Sequence, residues 1–239
     1  MPKRVHQIFL AAIGLGLSLS SCGINVPNVD LDGTLTILTP RQDLSMAQFE
    51  KEWIVIGRLR QALPTLQDDG IFLHLAIKSG PKPFAALRPI NAQLLATPYL
   101  GWNWRIIEGT SSKSPLQIII GFLDDKTKSK TWSIGSSWRP NIPNFSRSLT
   151  IEWAPSALQR GFLEAPPRRN GPPVARYIAR GGKENLNRWW REIVDLSALH
   201  AKAWPSLNMR DTRVVFAGIG VKPGDGGVAA HIRGLHLSR

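Results

Sequence analysis

Cysteine is almost absent from this chain: Cys22 is the only one among 239 residues. A single cysteine excludes an intrachain disulfide and a cysteine-rich zinc site. Acidic residues are also scarce, with 17 Asp and Glu against 30 Lys and Arg, which gives a formal net charge of +13. A chain of this charge is attracted to anionic surfaces such as phosphate, acidic glycans or lipid headgroups.

Signatures of common enzyme classes are missing as well. The sequence has no Gly-x-Ser-x-Gly nucleophile elbow, Walker loop, dinucleotide fingerprint or His-Glu-x-x-His zinc motif. His231 and His236 are five residues apart in a predicted strand, so we expect them on opposite faces and not on one metal ion. These absences predict no cofactor and no metal site, and they favour a non-catalytic protein over an enzyme.

The apolar run near the N-terminus is short. Residues 8–19 (IFLAAIGLGLSL) follow the basic residues Lys3 and Arg4, which is the pattern of a secretory signal. A permanent transmembrane helix needs about 20 apolar residues, and this run has fewer. The residues at 19–22, LSSC, resemble the bacterial lipobox, in which the cysteine accepts a diacylglycerol. We therefore predict a lipoprotein signal peptide over residues 1–21 and lipidation of Cys22.

This lipobox also predicts the location of the protein. Residues 22–31 lack periodicity and should form a lipidated N-terminus and tether, which leaves residues 32–239 as a single domain. Gly23 stands where the inner-membrane retention signal of enteric bacteria has aspartate. By that resemblance we expect a cell-envelope protein anchored in the outer membrane and facing the periplasm, rather than in the inner membrane.

Period-2 alternation of apolar residues dominates the rest of the chain. Leu149, Ile151 and Trp153 share one strand face, and the run 116–122 (LQIIIGF) is apolar on nearly both sides, which indicates a central strand. Further strands are predicted at 33–39, 70–78, 100–106, 174–180, 188–195, 212–221 and 230–237. Helices are predicted only at 43–52 and at 197–204, the latter capped by Ser197. The pattern predicts a mainly β fold, an antiparallel β-sandwich or jelly roll with one or two short helices and a Pro-rich loop at 164–173.

Four segments carry a family resemblance: WNWR at 102–105, LTIEW at 149–153, RWWREIVD at 188–195, and FAGIGVKPGDGGVAAHIRGL at 216–235. Together they resemble a bacterial family known as domain of unknown function 3047. The resemblance implies an exported β-sandwich of the galactose-binding-like or carbohydrate-binding-module-like kind, without an established activity. The chain departs from the family at Val194, which replaces an arginine, and at Asp225, which stands alone where the family tends to carry several aspartates. One aspartate supplies too few oxygen ligands for calcium.

Tryptophan and arginine supply the candidate binding site. Adjacent Trp189 and Trp190 should face opposite sides of a strand, so one of them is expected to leave the core for a surface. An exposed indole can stack on a sugar ring while a guanidinium binds a carboxylate or phosphate. The ligand-binding candidates are Trp189, Trp190, Arg188, Arg191, Arg176, Arg180 and Arg105. The alternative is that the tryptophans belong to the core and the arginines to a solvated face.

Three functions remain open from the sequence. The first is non-catalytic binding of an anionic envelope glycan, and the second is structural or assembly contact with another envelope protein. The third is a glycan-modifying hydrolase, which needs two converging carboxylates. The carboxylates considered for it are Asp124, Asp125, Glu152, Glu192 and Asp195. Nucleic acid would suit the positive charge, but export argues against it and no recognition motif for DNA or RNA is present.

Overall fold

The computed structural model of the chain describes residues 27–38, 51–57, 65–68, 73–78, 83–107, 116–124, 142–167, 170–223 and 229–239. Cys22, the predicted signal peptide, Asp125, Asp225 and most of the predicted helix at 43–52 lie outside these ranges. Within them, no helix has both the length and the apolar character needed to cross a membrane.

Two β-sheets face each other, so the predicted mainly β sandwich is confirmed. The described strands are β1 (Leu35–Thr36), β2 (Ile54–Gly57), β3 (Thr65–Asp68), β4 (Leu73–Lys78), β5 (Phe84–Gln93), β6 (Tyr99–Ile106), β7 (Leu116–Asp124), β8 (Arg147–Ala154), β9 (Leu163–Glu164), β10 (Val174–Gly181), β11 (Trp190–Asp195), β12 (Thr212–Val221) and β13 (Ala229–Ser238). The α-helix α1 spans Leu196–Ala203, and residues 51–52 are also helical. In sheet A the strands run β11-β6-β13-β4-β3, and β1 also pairs with β13. In sheet B they run β2-β5-β12-β7-β8-β10-β9.

The core lies between the inner faces of the two sheets. Trp102 and Trp104 point inward from β6, and both are fully buried. The Trp104 ring packs edge-on against Trp102 at 5.4 Å and against Trp153 of β8 at 5.5 Å. Because β6 belongs to sheet A and β8 to sheet B, the Trp104–Trp153 contact joins the two layers, and each aromatic pair stabilises the fold by about 0.5–1.5 kcal/mol beyond its buried area. The predicted inward faces of both strands are therefore confirmed.

A second, smaller apolar cluster covers part of the outer face of sheet B. It contains Ile54, Leu87, Phe145 and Phe216, all nearly buried. Phe145 and Phe216 meet edge-on at 5.2 Å. Gly121 makes this possible, because any side chain there would overlap the Phe216 ring. The cluster leaves the β8 and β10 end of the same face to polar residues.

Several details differ from the predictions. Strands β8 and β10 pair in parallel, whereas the other described pairings are antiparallel. Strand β5 was not predicted, since it contains Pro89, a residue that cannot donate to a sheet ladder. The structure accommodates Pro89 opposite Phe216, beside a register shift in β12. Helix α1 is capped by the Asp195 side chain, which accepts from Ala198 N, and not by Ser197.

A register irregularity in β13 changes which of its side chains share a face. Between Arg233 and His236, strand β13 shifts register at Gly234, whose φ of +62° is the left-handed conformation that glycine favours. His231 therefore pairs with Arg105, and His236 with Gly101, on one face of β6. The prediction that the two histidines face opposite sides is wrong for this reason.

Candidate functional site

The predicted site residues do not form one patch. Trp189, Arg191 and Arg105 lie on the outer face of sheet A. Trp190 and Arg180 turn toward the core, and exposed Arg188 lies near Trp190. Arg176 lies on the outer face of sheet B. The separation of Arg176 from Arg180 has a local cause. Strand β10 shifts register between Ile178 and Arg180, so Arg176 pairs with Thr150 on the outer face while Arg180 pairs with buried Trp153. The expectation that both arginines extend one strand face is wrong.

Trp189 and Trp190 do lie on opposite sides, as predicted. Trp190 pairs with core residue Trp104, and its indole donates to the Asn185 carbonyl at 2.8 Å. Trp189 immediately precedes β11 and contacts outer-face residues instead. Both indoles are half-buried. Trp189 is therefore the tryptophan of this pair that faces away from the core.

We use the name basic face for Arg105, Trp189, Arg191, His231 and Arg233 on the outer side of sheet A. The guanidinium of Arg233 lies 4.1 Å from the centre of the Trp189 ring, and that of Arg105 lies 5.1 Å from it. Such cation–π contacts contribute about 0.5–2 kcal/mol each and hold the guanidinium planes in place. The indole thus orders two arginines.

His231 fixes the position of Arg105 within the basic face. Its ring Nδ1 lies 2.9 Å from Arg105 Nη2, a geometry in which the guanidinium donates to the imidazole. His231 is 7% exposed, and its ring packs edge-on near Trp189 at 6.2 Å. Arg105 Nε is buried and has no hydrogen-bond partner among the described residues.

Two arginines of the basic face lack a carboxylate partner among the described residues. Neither Arg105 nor exposed Arg191 lies within 4.0 Å of a carboxylate in the part of the chain that the structure describes. Tyr99 is 39% exposed and Ile193 is 56% exposed on the same side. The surface therefore combines guanidinium donors with accessible aromatic and aliphatic area, which suits an anionic ligand with apolar ring faces.

A buried ion pair occupies the core side of the same region. Glu192 is 4% exposed, and its carboxylate pairs with Arg180. The Arg180 guanidinium lies 3.8 Å from the centre of the Trp190 ring. Trp104 Nε1 donates to Glu192 Oε1 at 3.4 Å. Arg180 and Trp190 thus support the fold, and the structure does not place them where a ligand meets the surface.

Among the described residues, the carboxylates considered for hydrolysis do not converge on a shared groove. Asp124 pairs with Arg147 and accepts from Thr212 at 3.0 Å, and Asp195 caps α1. Glu192 lies on the inner side of sheet A, whereas Glu152 lies on the outer side of sheet B. Within the described ranges no cluster of three or more His, Cys, Asp or Glu residues has the geometry to hold a metal ion.

Sequence reasoning missed Arg233, His231 and Lys222 as possible site residues. His231 and Arg233 alternate in the predicted strand 230–237, so their shared face was readable. The sequence did not reveal that this strand pairs beside β6, which brings both residues to Trp189. Lys222 follows β12 directly and reaches Glu152 at 2.7 Å, a contact between strands that no local pattern announces.

No family model matches the chain, and no curated protein matches it. Solved structures of similar architecture include a family 11 carbohydrate-binding module from Clostridium thermocellum in complex with a β-1,3-1,4-mixed-linked tetrasaccharide, with 7% identity, 87% of this chain and 97% of that chain covered, and a TM-score of 0.44. The xyloglucanase domain of NopAA from Sinorhizobium fredii, in complex with cellobiose, has 12% identity, 88% and 96% coverage, and a TM-score of 0.45. A variant Cel12A cellulase of Rhodothermus marinus has 10% identity, 86% and 99% coverage, and a TM-score of 0.45. The ligands and activities named here are those of the similar proteins. Sequence identities of 7–12% do not assign them to this chain.

Proposed function

We propose that this protein is a lipid-anchored cell-envelope protein that binds an anionic glycan, without catalysis, through the basic face of sheet A. The observation that carries the proposal is the pair of guanidiniums from Arg105 and Arg233 that lie against the Trp189 ring. Ordered guanidiniums bind carboxylate and phosphate groups with two parallel hydrogen bonds. The lipobox-like residues 19–22 support export and attachment to a membrane, with the outer membrane as the proposed destination.

In this proposal Trp189 acts differently from a simple stacking platform. Two guanidiniums already lie against the indole, so its main contribution is to hold them in a fixed arrangement. The exposed ring of Tyr99 offers a surface for a sugar ring on the same side. Affinity should therefore depend strongly on salt, because ionic strength of about 1 M shortens the screening length to about 3 Å, from about 10 Å at 0.1 M.

Replacing Trp189 with alanine should weaken retention on acidic glycans about tenfold, since the arginines lose the ring that orders them. The measurement is affinity electrophoresis or glycan-array binding of the detergent-solubilised full chain, at low and high salt. Arg191→Ala should weaken retention on acidic glycans and leave retention on neutral glycans unchanged. Leu158→Ala is the matched control, because Leu158 is a 96% exposed apolar residue on a short helical turn outside the basic face. If retention on every acidic glycan is the same for Trp189→Ala and the parent, the proposal fails and docking of an envelope protein becomes the better explanation.

Replacing Cys22 with serine should move the protein from the membrane fraction to the soluble fraction. Serine has no thiol to accept the lipid, and the apolar run before it is too short to remain as a stable span. Fractionation of cells followed by detection of the protein in each fraction measures the effect. Ser21→Ala keeps a small residue before the cysteine and should remain membrane-bound. A Cys22→Ser protein that stays fully in the membrane fraction would contradict the lipid anchor.

A further inference from the structure

A cavity of about 310 Å³ lies at the β8 and β10 end of the outer face of sheet B, whereas the basic face belongs to sheet A. Its polar lining comes from Glu152, Gln159, Arg176 and Lys222, and its remaining wall from residues 153–155 and Ile178. Ligand sites in proteins span about 300–1,000 Å³, so this cavity has room for one small ligand rather than a chain of sugars.

Strand pairing builds the charged part of this cavity. Glu152 of β8 lies opposite Gln117 of β7, and Gln117 lies opposite Gly220 of β12. A side chain at position 220 would come within 2.8 Å of Gln117 Nε2, so Gly220 leaves the space that the Gln117 side chain occupies. Lys222, two residues further along, then reaches over to Glu152. The parallel pairing of β8 with β10 brings Arg176 to the same side, opposite Thr150.

The Glu152 carboxylate fixes two cations. Lys222 Nζ lies 2.7 Å from Glu152 Oε2, and Arg176 Nη1 lies 3.7 Å from the same oxygen. The Glu152 side chain is 7% exposed, whereas the Lys222 and Arg176 side chains are each 41% exposed. One buried negative charge therefore holds two cations that are both partly exposed. The three charged lining residues leave one net positive charge.

We propose that this cavity binds a small hydroxylated monoanion of the sugar-acid class. The ligand's carboxylate would take the outward donors of Lys222 and Arg176, and its hydroxyl groups would meet Glu152 and Gln159. A buried carboxylate accepts hydrogen bonds from hydroxyl groups, and a sugar acid carries several of them beside its own carboxylate. This site is independent of the glycan proposed for the basic face, because the two share no residue.

Glu164 competes with the proposed ligand for Arg176. Its Oε2 lies 3.4 Å from Arg176 Nη2, and its side chain is 47% exposed. An exposed pair of this kind is weak, so an incoming carboxylate displaces Glu164 at little cost. Removing the Glu164 charge should therefore strengthen binding of the anion, a result that a merely structural ion-pair network would not produce.

The test is calorimetric titration of the full chain in detergent with glucuronate, glucose and inorganic phosphate as separate probes. Glucuronate should bind with a dissociation constant near the millimolar range, which is ordinary for a ligand of this size. Lys222→Met and Arg176→Met should each weaken glucuronate binding about tenfold, and Glu164→Gln should strengthen it several-fold. Lys222→Met should weaken glucuronate binding by the same factor in the Trp189→Ala background, which separates this site from the basic face.

Several results would overturn the assignment. One is the absence of saturable glucuronate binding, and another is the same glucuronate affinity in the parent and in both Met variants. The others are an affinity for glucose, or for phosphate, that equals the affinity for glucuronate. Equal glucose affinity would remove the anionic requirement, and equal phosphate affinity would remove the role of the hydroxyl groups. If Lys222→Met alone does not fold, the double variant Glu152→Gln/Lys222→Met removes both charges of the pair and carries the same test.

Discussion

Replacing Glu192 with alanine is expected to lower the free energy of unfolding by about 3–5 kcal/mol. The change leaves the Arg180 guanidinium without its carboxylate partner in a position where the arginine side chain is only 11% exposed. It also removes the acceptor of the Trp104 indole N–H, which is fully buried. A buried charge without a partner keeps its desolvation penalty and loses the compensating attraction.

Urea unfolding of the parent and the variant measures this loss. The double variant Arg180→Met/Glu192→Leu should recover most of it, because an apolar pair of similar volume needs no partner. Arg160→Ala is the matched single control. Arg160 lies 3.6 Å from the other Glu192 oxygen but is 59% exposed, so its removal should cost no more than about 1 kcal/mol. A Glu192→Ala cost below about 1 kcal/mol would show that water reaches the pair.

Replacing His200 with phenylalanine should remove a large part of the acid sensitivity of the fold. His200 is fully buried in α1 and packs against Phe122 at 5.2 Å and Trp204 at 5.0 Å. Neither of its ring nitrogens has a hydrogen-bond partner among the described residues. The pKa of His200 is lowered to about 4, mainly by burial and also by the positive charge of nearby Arg147, while the negative charge of Asp124 opposes the shift. The imidazole is therefore neutral in the folded protein at pH 7.

The sign of the pH effect follows from this lowered pKa. The unfolded chain has a histidine pKa of about 6.5, so as the pH falls below that value the unfolded state binds a proton that the folded state refuses. The stability associated with neutral His200 is fully present above about pH 6.5 and is lost as the pH falls toward 4. The loss amounts to about 2 kcal/mol at pH 5 and approaches about 3 kcal/mol at pH 4.

Urea unfolding at a series of pH values, for the parent and for His200→Phe, checks this result. The parent should lose more stability than the variant between pH 6.5 and pH 4, by about the amount given above. His200→Asn is the second control, because it keeps a polar side chain and removes only the titration. Parallel pH profiles for the parent and both variants would contradict the buried neutral imidazole, as would a native His200 proton resonance that titrates near pH 6.5.

Local patterns predicted much of the architecture. Alternating apolar residues identified β6 and β8, because a strand with one buried face must repeat every two residues, and a nearly continuous apolar run identified β7. The pattern failed for β5, where Pro89 and several alanines give a weak strand signal that the pairing with β12 overrides. It also misplaced the cap of α1, because Asp195 and Ser197 are both residues that can accept from a helix N-terminus.

The candidate site was less predictable than the fold. The sequence identified Trp189, Arg105 and Arg191 as candidates by residue type, and the structure places all three on the outer side of sheet A. It separates Arg180 and Trp190 from them, because the register shift in β10 and the start of β11 turn those side chains toward the core. Arg233 joins the basic face only because β13 pairs beside β6.

The sequence by itself determined the mainly β class, the excess of positive charge and the opposite orientation of Trp189 and Trp190. It also gives the prediction of export and of lipid attachment at Cys22. Each of these depends on composition or on the two-residue period of a single strand, which are local properties. Only the tertiary structure decided that Lys222 meets Glu152 and that Arg105 and Arg233 meet at Trp189. Those contacts depend on strand order, register and bulges, which arise when distant segments pair and which no single segment encodes.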